Sequence, residues 1–540
     1  MESTIAASPV AARRPAPAPD PSRALVAALR SPACYPHPAD GVEVIETHIS
    51  YVLLAGDFAY KIKKPVHLPF VDFSSLESRR RYCEEEVRLN RRTAGALYLD
   101  VVAVAGPPSA PRFGGAGAAI EYAVRMRRFR QEDLLDRLAR EGRLTAAHVD
   151  ALARRVADFH ASLPPGPRGR GFATPERILE QALANFRDIE AGERGAARLR
   201  SLEALRAWTL ERHRALAPLF AERRNDGFVR ECHGDLHLAN VVLLEGDPVP
   251  FDCIEFDESL RCIDVMSEVA FTVMDLERHG LPGFAARFLD AYLARTGDYP
   301  GLRLLRFYAA YRAMVRAKVA CIRARQGEPG EGGAGDLSAY LALAQRLAHG
   351  PRPALILMHG VSGSGKTRLS QQLLEATGAV RLRSDVERKR LRGLDPAART
   401  GSLPGQGLYG ERANALTYGR LAELASWVLA SGFPAIVDAT FLRRAERDAF
   451  RALASGAGAS FTIVSCEAPV PLLRRRVVER EREGADASEA GLAVLALQLA
   501  RREPLARDEA AHVVTCDSSG PDGARGACAE VLRRLRPVRH

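Results

Sequence analysis

Lysine is scarce in this sequence, although basic residues are abundant. Of the 77 basic residues six are lysine, which leaves 77 − 6 = 71 arginines. An ammonium group is a compact point charge and a guanidinium is a broad planar fork, so the two cations suit different sites. A lysine that persists against this background is a candidate for a site that needs a compact cation. The six are Lys61, Lys63, Lys64, Lys318, Lys366 and Lys389.

Other features are missing as well. The nine cysteines include no C-x-x-C pair, which argues against a zinc site and against a disulfide framework. No apolar run is long enough to span a bilayer. The first 30 residues contain no compact apolar segment of the kind found in secretion signals. These absences predict a cytoplasmic protein with reduced thiols.

Length and charge limit the number of domains and the class of binding partner. A chain of 540 residues is too long for one ordinary core and predicts two or three domains. The net charge of +11 is spread over helices that also carry Glu and Asp, which is typical of solvated surfaces. Aromatic residues make up only 6%, which argues against single-stranded nucleic-acid binding. The predicted organisation is a disordered tail over 1–20, a first domain over 21–348, a linker over 349–353 and a second domain over 354–540.

A glycine-rich loop stands between an apolar strand and a helix at the start of the second domain. The strand is predicted over 354–358 and the helix over 367–376, and the loop reads G-x-x-x-x-G-K-T. Such loops bind a nucleoside triphosphate because their backbone N–H groups surround phosphate oxygens, while the lysine contacts the phosphates and the hydroxyl contacts Mg²⁺. The predicted nucleotide-binding residues are Gly360, Ser362, Gly363, Ser364, Gly365, Lys366 and Thr367, with Thr367 also a metal ligand.

Two later segments of the second domain carry charges that phosphoryl transfer needs. A second apolar strand ends in Asp438, and a carboxylate at such a strand end typically helps to hold Mg²⁺. An arginine-dense helix over 472–483 contains Arg476 and Arg480, which lie four residues apart on one face. Arginines there would neutralise charge that develops on the transferred phosphoryl group. A plain solvated helix is the alternative interpretation of either arginine.

The second domain resembles, over 350–540, the P-loop kinases grouped as AAA-like ATPase domains, which are close to gluconate kinases and polynucleotide 5′-kinases. The resemblance rests on the P-loop, on Ser384-Asp385-x-x-Arg388 and on Val437-Asp438-Ala439-Thr440. It implies a three-layer α/β/α domain with a parallel sheet. It also implies that Asp385 orients or deprotonates the acceptor hydroxyl, with Arg388 as its partner. A helix N-cap at Ser384 or Asp385 is the alternative interpretation.

One stretch of the first domain, His233-Gly234-Asp235-Leu236-His237-Leu238-Ala239-Asn240, has the spacing of a catalytic loop. H-x-D-x-x-x-x-N is the pattern of the protein-kinase-like fold, in which Asp235 would accept or orient the acceptor proton and Asn240 would bind Mg²⁺. A further metal-binding carboxylate is expected after the next hairpin, and Asp252 and Glu255 both fit. The two lie an odd number of residues apart, so a straight strand would direct only one of them to the metal.

A phosphate-binding lysine is expected on an early strand of the first domain. Lys61 and Lys63 lie on the same side of that strand because side chains alternate, and Lys61 is the predicted residue. Its ion-pair partner is expected on the following helix, at Glu86 or at its neighbour Glu85. A charged surface helix is the alternative interpretation of these acids.

The first domain resembles the aminoglycoside phosphotransferase-like superfamily over about 25–345, which implies an α+β, protein-kinase-like fold. The whole chain resembles two-domain bacterial proteins in which such a domain is fused to an ATP-binding P-loop domain. One departure is Glu268, where the family has the Asp of a D-L-A motif, and it predicts looser capping of that helix. The shared motifs stand at 47–50, 60–65, 233–240, 254–257 and 263–265.

Together, the motifs predict an ATP- and Mg²⁺-dependent phosphotransferase with two nucleotide-binding domains, which acts on hydroxyl groups of small polar metabolites. The word aminoglycoside in the family name reflects the fold and does not establish an antibiotic substrate. Two alternatives stay open. One is a P-loop ATPase that a catalytically inactive kinase-like domain regulates, and the other is a polynucleotide 5′-hydroxyl kinase.

Overall fold

The chain folds into two compact units. The computed structural model describes residues 22–68, 71–193, 195–326, 334–395, 398, 410–483 and 490–535. The first unit comprises the chain up to Phe129 together with Glu255–Asp257, and the second comprises Arg130–Ile254 and the chain from Glu258 onward. The predicted tail over 1–20 lies outside the described residues.

The first unit is built on an antiparallel sheet. Its elements are α1 Ser22–Ala28, β1 Val42–Glu46, β2 Ser50–Ala55, β3 Phe58–Lys63, β4 His67–Leu68, β5 Val71–Asp72, α2 Leu76–Ala94, β6 Tyr98–Ala105, β7 Arg112–Phe113 and β8 Ala119–Arg127. Six strands pair in the order β1-β2-β3-β8-β6-β7. The helix α2 packs against β6 and β8, and Ser75 caps its N-terminus by accepting the N–H of Ser78 at 3.0 Å. The lysine-bearing strand β3 and the acidic helix α2 thus belong to one unit.

The second unit begins with a helical region that contains short antiparallel strand pairs. Its elements are α3 Leu135–Arg140, α4 Ala146–Ser162, α5 Pro175–Glu190, α6 Ala196–Asn225, β9 Val229–Glu231, β10 Val241–Leu244, β11 Asp247–Pro250, α7 Glu258–Arg261, β12 Cys262–Asp264, α8 Val265–Arg278, α9 Pro282–Thr296, α10 Leu302–Gln326 and α11 Ala334–His349. The strand β10 pairs with β11, and β9 pairs with β12. The helix α8 contacts both α9 and α10. The helix α8 is buried along nearly its whole length, so its polar residues need internal partners.

The second unit continues into a parallel sheet with helices. Its elements are β13 Ala354–His359, α12 Lys366–Thr377, β14 Val380–Arg383, α13 Ser384–Arg390, α14 Glu411–Ala430, β15 Ala435–Asp438, α15 Arg444–Gly456, β16 Ser460–Glu467, α16 Val470–Glu483, α17 Leu492–Arg501, β17 Val513–Asp517 and α18 Pro521–Leu535. The strands lie in the order β14-β15-β13-β16-β17, all parallel.

Both faces of this sheet are covered, as the continuous apolar character of β13 requires. Leu355 and Leu357 pack in one hydrophobic cluster together with Leu424 of α14. Ile356 and Met358 pack in another, which includes Leu373 of α12 and residues of α18. The domain is therefore a three-layer α/β/α fold, as the sequence predicts.

Packing is continuous across the predicted linker over 349–353. A single hydrophobic cluster contains Leu341, which precedes that segment, and Leu424, which follows it. The helix α9 contacts α12 and β14, and α10 contacts α14. The predicted linker thus separates two segments of the sequence, but the helices on its two sides pack in one hydrophobic core. In the described part of the chain, no helix combines the length and the apolarity that a membrane crossing would need.

Candidate active sites

The loop between β13 and α12 has the geometry of a tight phosphate-binding turn. Gly360 has a φ of 137°, and a Cβ atom there would stand 2.6 Å from the carbonyl oxygen of Cys466. Gly363 has a φ of 79°, and its Cβ would stand 2.8 Å from the carbonyl oxygen of Leu473. Only glycine fits at these positions, since both the backbone angle and the space exclude a side chain.

Lys366 begins α12 and lies inside the loop. Its Nζ donates to the carbonyl oxygen of Val361 at 2.9 Å. Burial lowers the pKa of Lys366, and the nearby Asp438 carboxylate opposes that shift. The backbone N–H of Ser362 donates to Oε1 of Gln498 at 2.7 Å, so one N–H of the loop already has an oxygen acceptor. Gln498 belongs to α17 and was not identified from the sequence.

Two oxygen-bearing residues lie where a magnesium ion would be held in such a site. Thr367 is the second residue of α12, and Asp438 is the last residue of β15. The Asp438 carboxylate is buried and accepts a hydrogen bond from Oγ of Ser370 at 3.2 Å. A hydroxyl and a carboxylate are hard oxygen donors of the type that Mg²⁺ prefers, so the residues fit the ion.

A cavity of about 560 Å³ joins the loop to the other predicted residues of this domain. Asp385 and Arg388 lie at the start and middle of α13, and the Arg388 Nε is 4.0 Å from the Asp385 Oδ1. Arg388 also donates to Oδ1 of Asn414. The predicted residues that line the cavity are Ser362, Gly363, Gly365, Lys366, Thr367, Asp385, Arg388, Asp438, Arg476 and Arg480.

The helix α14 contributes residues to the same cavity that the sequence did not single out. Asn414 and Tyr418 both line it. The Tyr418 hydroxyl accepts the N–H of Phe441 at 3.1 Å and lies 3.2 Å from Oγ1 of Thr440. Burial raises the pKa of Tyr418 to about 12. A helix that carries Asn and Tyr at ordinary spacing has no motif, so only the tertiary fold reveals their place.

The two predicted lid arginines make different contacts. Arg476 donates to the carbonyl oxygen of Gly363 at 3.3 Å and to Oγ of Ser518 at 3.0 Å. Arg480 donates to the carbonyl oxygen of Ala490. Arg476 therefore contacts the glycine-rich loop itself, whereas Arg480 contacts the segment that leads into α17.

The predicted catalytic loop of the kinase-like region is held by its own side chains. Asn240 donates from Nδ2 to the Asp235 carboxylate at 3.0 Å, and the His237 Nε2 lies 3.3 Å from the same oxygen. Burial alone would raise the pKa of Asp235, but His237 and Arg316 outweigh it and hold the pKa well below its usual value. Asp235 is thus an ionised carboxylate beside the predicted metal-binding amide.

Glu268 anchors the start of this loop. Its carboxylate accepts the backbone N–H of His233 at 3.0 Å and that of Gly234 at 2.6 Å, and it lies 3.1 Å from the His160 Nε2. Burial would raise the pKa of Glu268, but these partners lower it to about 2. The expected loosening of the helix cap is not present, because Asp264 caps α8 by accepting the N–H of Met266 at 2.8 Å.

Asp252 and Glu255 both lie beyond the end of the strand. The sequence-based picture of one straight strand is wrong here, since β11 ends at Pro250. Asp252 adopts a left-handed φ of 64° in the second unit, where its charge acts on the buried His233. Glu255 belongs to the first unit, where its carboxylate accepts a hydrogen bond from Lys63.

The predicted ion pair of the first unit is present. Lys61 donates to Oε1 of Glu86 at 2.8 Å, and the adjacent Lys63 donates to Oε2 of Glu86 at 2.7 Å. Burial would raise the pKa of Glu86, but the two lysines lower it to about 2. Glu85, the alternative partner, pairs instead with Arg88 at 2.7 Å. Lys63 is fully buried between two acids, a role that the sequence had not assigned to it.

Comparison with known proteins agrees with this arrangement. The family described as "Phosphotransferase enzyme family" matches residues 73–305, and an AAA domain family matches residues 355–505. The uncharacterized protein Rv2004c of Mycobacterium tuberculosis is 32% identical over 495 residues, covering 90% of this chain and 95% of the relative. The uncharacterized protein Mb2027c of Mycobacterium bovis matches with the same figures. The chain belongs to this two-domain family.

Members of this family join an aminoglycoside phosphotransferase-like kinase domain to a P-loop kinase domain. Solved structures are similar to parts of this chain. A gluconokinase from Sinorhizobium meliloti has 22% identity and a TM-score of 0.26, covering 34% of this chain and 95% of its own. An ethanolamine kinase from Plasmodium vivax has 10% identity and a TM-score of 0.36, covering 57% of this chain and 82% of its own.

Family membership indicates the general type of reaction. Two kinase-type domains in one chain support a phosphotransferase that uses a nucleotide and a small-molecule acceptor. The family thus gives the type of reaction, and the residues described above give the places where it could occur.

Proposed function

We propose that this protein is an ATP- and Mg²⁺-dependent phosphotransferase whose P-loop domain transfers the γ-phosphoryl group to a hydroxyl of a small polar metabolite. The observation that carries the proposal is the cavity of about 560 Å³, which contains the glycine-rich loop, Asp438, Asp385 and Arg388 together. Residues for the nucleotide and residues for an acceptor thus share one space. A pure ATPase switch would have no need of the second set.

At the nucleotide end, the glycine-rich loop and Lys366 bind the phosphates. The Lys366 Nζ exchanges its present acceptor, the Val361 carbonyl, for phosphate oxygens when the nucleotide binds. A phosphate oxygen likewise replaces Gln498 on the N–H of Ser362. The Thr367 hydroxyl and the Asp438 carboxylate would hold Mg²⁺, which when bound neutralises charge on the phosphates.

At the acceptor end, Asp385 accepts a hydrogen bond from the hydroxyl that attacks and receives its proton as the new bond forms. Arg388 lies buried beside it and is fixed by Asn414, so the guanidinium is ready to orient the acceptor or the transferred group. The helix N-cap interpretation accounts for neither the cavity nor the position of Arg388 in it. Positioning and charge neutralisation supply the rate, as is general for phosphoryl transfer.

We infer a second phosphotransfer function in the kinase-like half, carried by Asp235. The ionised Asp235 acts as the acceptor-orienting base, and Asn240 and Asp252 are the metal-binding residues of the second unit. Glu255 is already engaged by Lys63 and is the weaker metal-binding candidate. In the first unit, taken by itself, we propose Lys61 with its partner Glu86 as a nucleotide-binding pair.

A screen with radiolabelled ATP tests the proposal. The intact protein and the variants Lys366→Ala and Asp235→Asn are each incubated with a metabolite extract, and labelled products are separated. We expect one class of product to disappear with Lys366→Ala and another with Asp235→Asn. Loss of the carboxylate base should slow its own reaction by about 10²–10⁴-fold.

Each contrary outcome has a distinct meaning. If Asp235→Asn leaves every product unchanged, the kinase-like half is not catalytic. If wild-type protein releases only inorganic phosphate whatever the extract contains, the P-loop half is an ATPase. Labelling of an oligonucleotide with a free 5′-hydroxyl, in place of the metabolites, would favour a polynucleotide kinase.

Arg476 is expected to matter more for phosphoryl transfer than its neighbours on α16. Arg476→Ala removes a cation that contacts the glycine-rich loop, and we expect a loss in kcat of about 10²-fold with a smaller change in the KM for ATP. Arg475→Ala is the matched control, since Arg475 is exposed and pairs only weakly with Glu479 at 3.7 Å. Steady-state kinetics of both variants measure kcat and the KM for ATP. Equal effects of the two substitutions would contradict a specific role of Arg476 in phosphoryl transfer.

A further inference from the structure

Arg381 joins the P-loop domain to a helix that precedes the predicted linker. It lies on the edge strand β14, and its Nη2 donates to Oδ2 of Asp290 on α9 at 2.8 Å. The backbone N–H of Arg381 donates to the other oxygen of Asp290 at 3.3 Å. The two side chains are only 8% and 7% exposed, so water does little to screen the pair. No motif in the sequence pointed to either residue.

The other end of the Arg381 guanidinium reaches the first turn of α12. Its Nη1 donates to Oγ of Ser370 at 3.2 Å and to the carbonyl oxygen of Thr367 at 3.4 Å. Ser370 is fully buried, and its hydroxyl lies 3.0 Å from the Thr367 carbonyl oxygen and 3.2 Å from the Asp438 carboxylate, the two acceptors within reach of its proton. A hydroxyl that accepts from a cation is a stronger donor to the next acceptor. A continuous polar chain therefore runs from Asp290 through Arg381 and Ser370 to Asp438.

We propose that Asp290 is a positioning residue of the P-loop site, through which α9 sets the affinity of that site for Mg²⁺ and hence for Mg²⁺-bound ATP. This inference rests on the proposed function, since it deepens the account of the same site. Asp290 neutralises the charge of Arg381. Arg381 then holds Ser370 and the Thr367 carbonyl in place without also pairing with the Asp438 carboxylate.

The physical reason lies in the burial of these charges. Without the Asp290 charge, Arg381 is a buried cation whose nearest remaining carboxylate along the chain of hydrogen bonds is Asp438. Arg381 then competes with the metal for that carboxylate. Residues that orient a metal ligand typically change metal affinity by about 10–100-fold when they are replaced. We therefore expect Asp290→Asn to raise the Mg²⁺ concentration for half-maximal ATP binding about tenfold.

Two further variants make the test specific. Ser370→Ala removes the hydroxyl link without changing any charge, and a threefold rise is expected from the loss of about one hydrogen bond. Asp395→Asn is the matched control, because Asp395 pairs with Arg295 of the same helix α9 but lies away from the cavity lining. It breaks a bond between α9 and the P-loop domain by the same chemical change.

The experiment is a calorimetric titration of the full-length protein with ATP at a series of Mg²⁺ concentrations. Lys366→Ala identifies the binding event that belongs to the P-loop. Thermal melting of each variant shows whether it folds, and Ser370→Ala decides the question if Asp290→Asn does not. We expect Asp290→Asn and Ser370→Ala to shift the Mg²⁺ dependence while Asp395→Asn keeps that of the wild type.

Two results would overturn this inference while leaving the proposed function intact. One is a wild-type Mg²⁺ dependence in folded Asp290→Asn and Ser370→Ala, and the other is an equal shift in Asp395→Asn, which would reveal general loosening between the helices. Failure of the proposed function looks different. In that case the wild-type protein itself shows no ATP binding that Lys366→Ala removes, and the positioning role falls with it.

Discussion

Replacing Lys366 by alanine is expected to reduce phosphoryl transfer by the P-loop domain about 10²–10³-fold, the usual loss when one preorganised cation or donor is removed from developing charge. Lys366 is buried in the glycine-rich loop and is held ready by a hydrogen bond to Val361. Burial lowers the pKa of Lys366, and the nearby Asp438 carboxylate favours its charged form. Initial rates with the acceptor found by the extract screen measure the loss.

Lys318→Met is the appropriate control for that measurement. It also removes one of the six lysines, but Lys318 lies on α10 and is 3.8 Å from its partner Asp188, far along the chain from the loop. We expect its rate to stay within about twofold of the wild type, since surface pairs contribute little. A Lys366→Ala variant as active as Lys318→Met would contradict the assignment of the P-loop as a phosphate-transfer site.

Replacing Glu268 by alanine is expected to destabilise the second unit by about 3–5 kcal/mol, the typical cost of breaking a buried charged network by removing one partner. Three buried groups lose their acceptor at once: the N–H groups of His233 and Gly234 and the His160 ring. The loop that carries Asp235 then loses its anchor. Urea unfolding monitored by circular dichroism measures the change in the free energy of unfolding.

Glu277→Ala provides the comparison on the same helix. Glu277 is 3.6 Å from Arg346 at the surface, and its loss should cost less than about 1 kcal/mol. Similar costs for Glu268→Ala and Glu277→Ala would show that the loop does not depend on the buried carboxylate.

The contribution of Glu268 should also depend on pH. Its folded-state pKa is lowered from the ordinary 4.5 to about 2, so the folded protein favours the ionised form. The stabilisation is therefore fully present above pH 4.5 and is lost as the pH falls toward 2. We expect the difference in unfolding free energy between the wild type and Glu268→Ala to shrink over that range. A difference that stays constant would contradict the lowered pKa.

The local sequence was almost sufficient to predict the P-loop. The loop from Gly360 to Thr367 folds on itself, and its flanking strand and helix have clear apolar patterns. The catalytic-loop spacing from His233 to Asn240 was equally informative, because Asn240 reaches Asp235 across only five residues. Short-range geometry of this kind follows from chain connectivity, so spacing is sufficient to predict it.

Choices between neighbouring residues could not be made in this way. Glu85 and Glu86 differ by a rotation of about 100° around α2, and only packing against β6 and β8 determined that Glu86 is buried with Lys61. Asp252 and Glu255 were treated as members of one strand, but β11 ends at Pro250 and the two carboxylates belong to different units.

The sequence by itself determined that the chain contains a P-loop domain and a kinase-like domain, because their motifs are local and chemically specific. Only the tertiary structure decided how distant residues support them. Glu268 lies 34 residues from Gly234, and Asp290 lies 91 residues from Arg381, yet each pair forms a buried hydrogen bond. Such contacts leave no periodic or spaced signal in the sequence. They exist because a buried charge must find a partner wherever the packing of helices and strands brings one within reach.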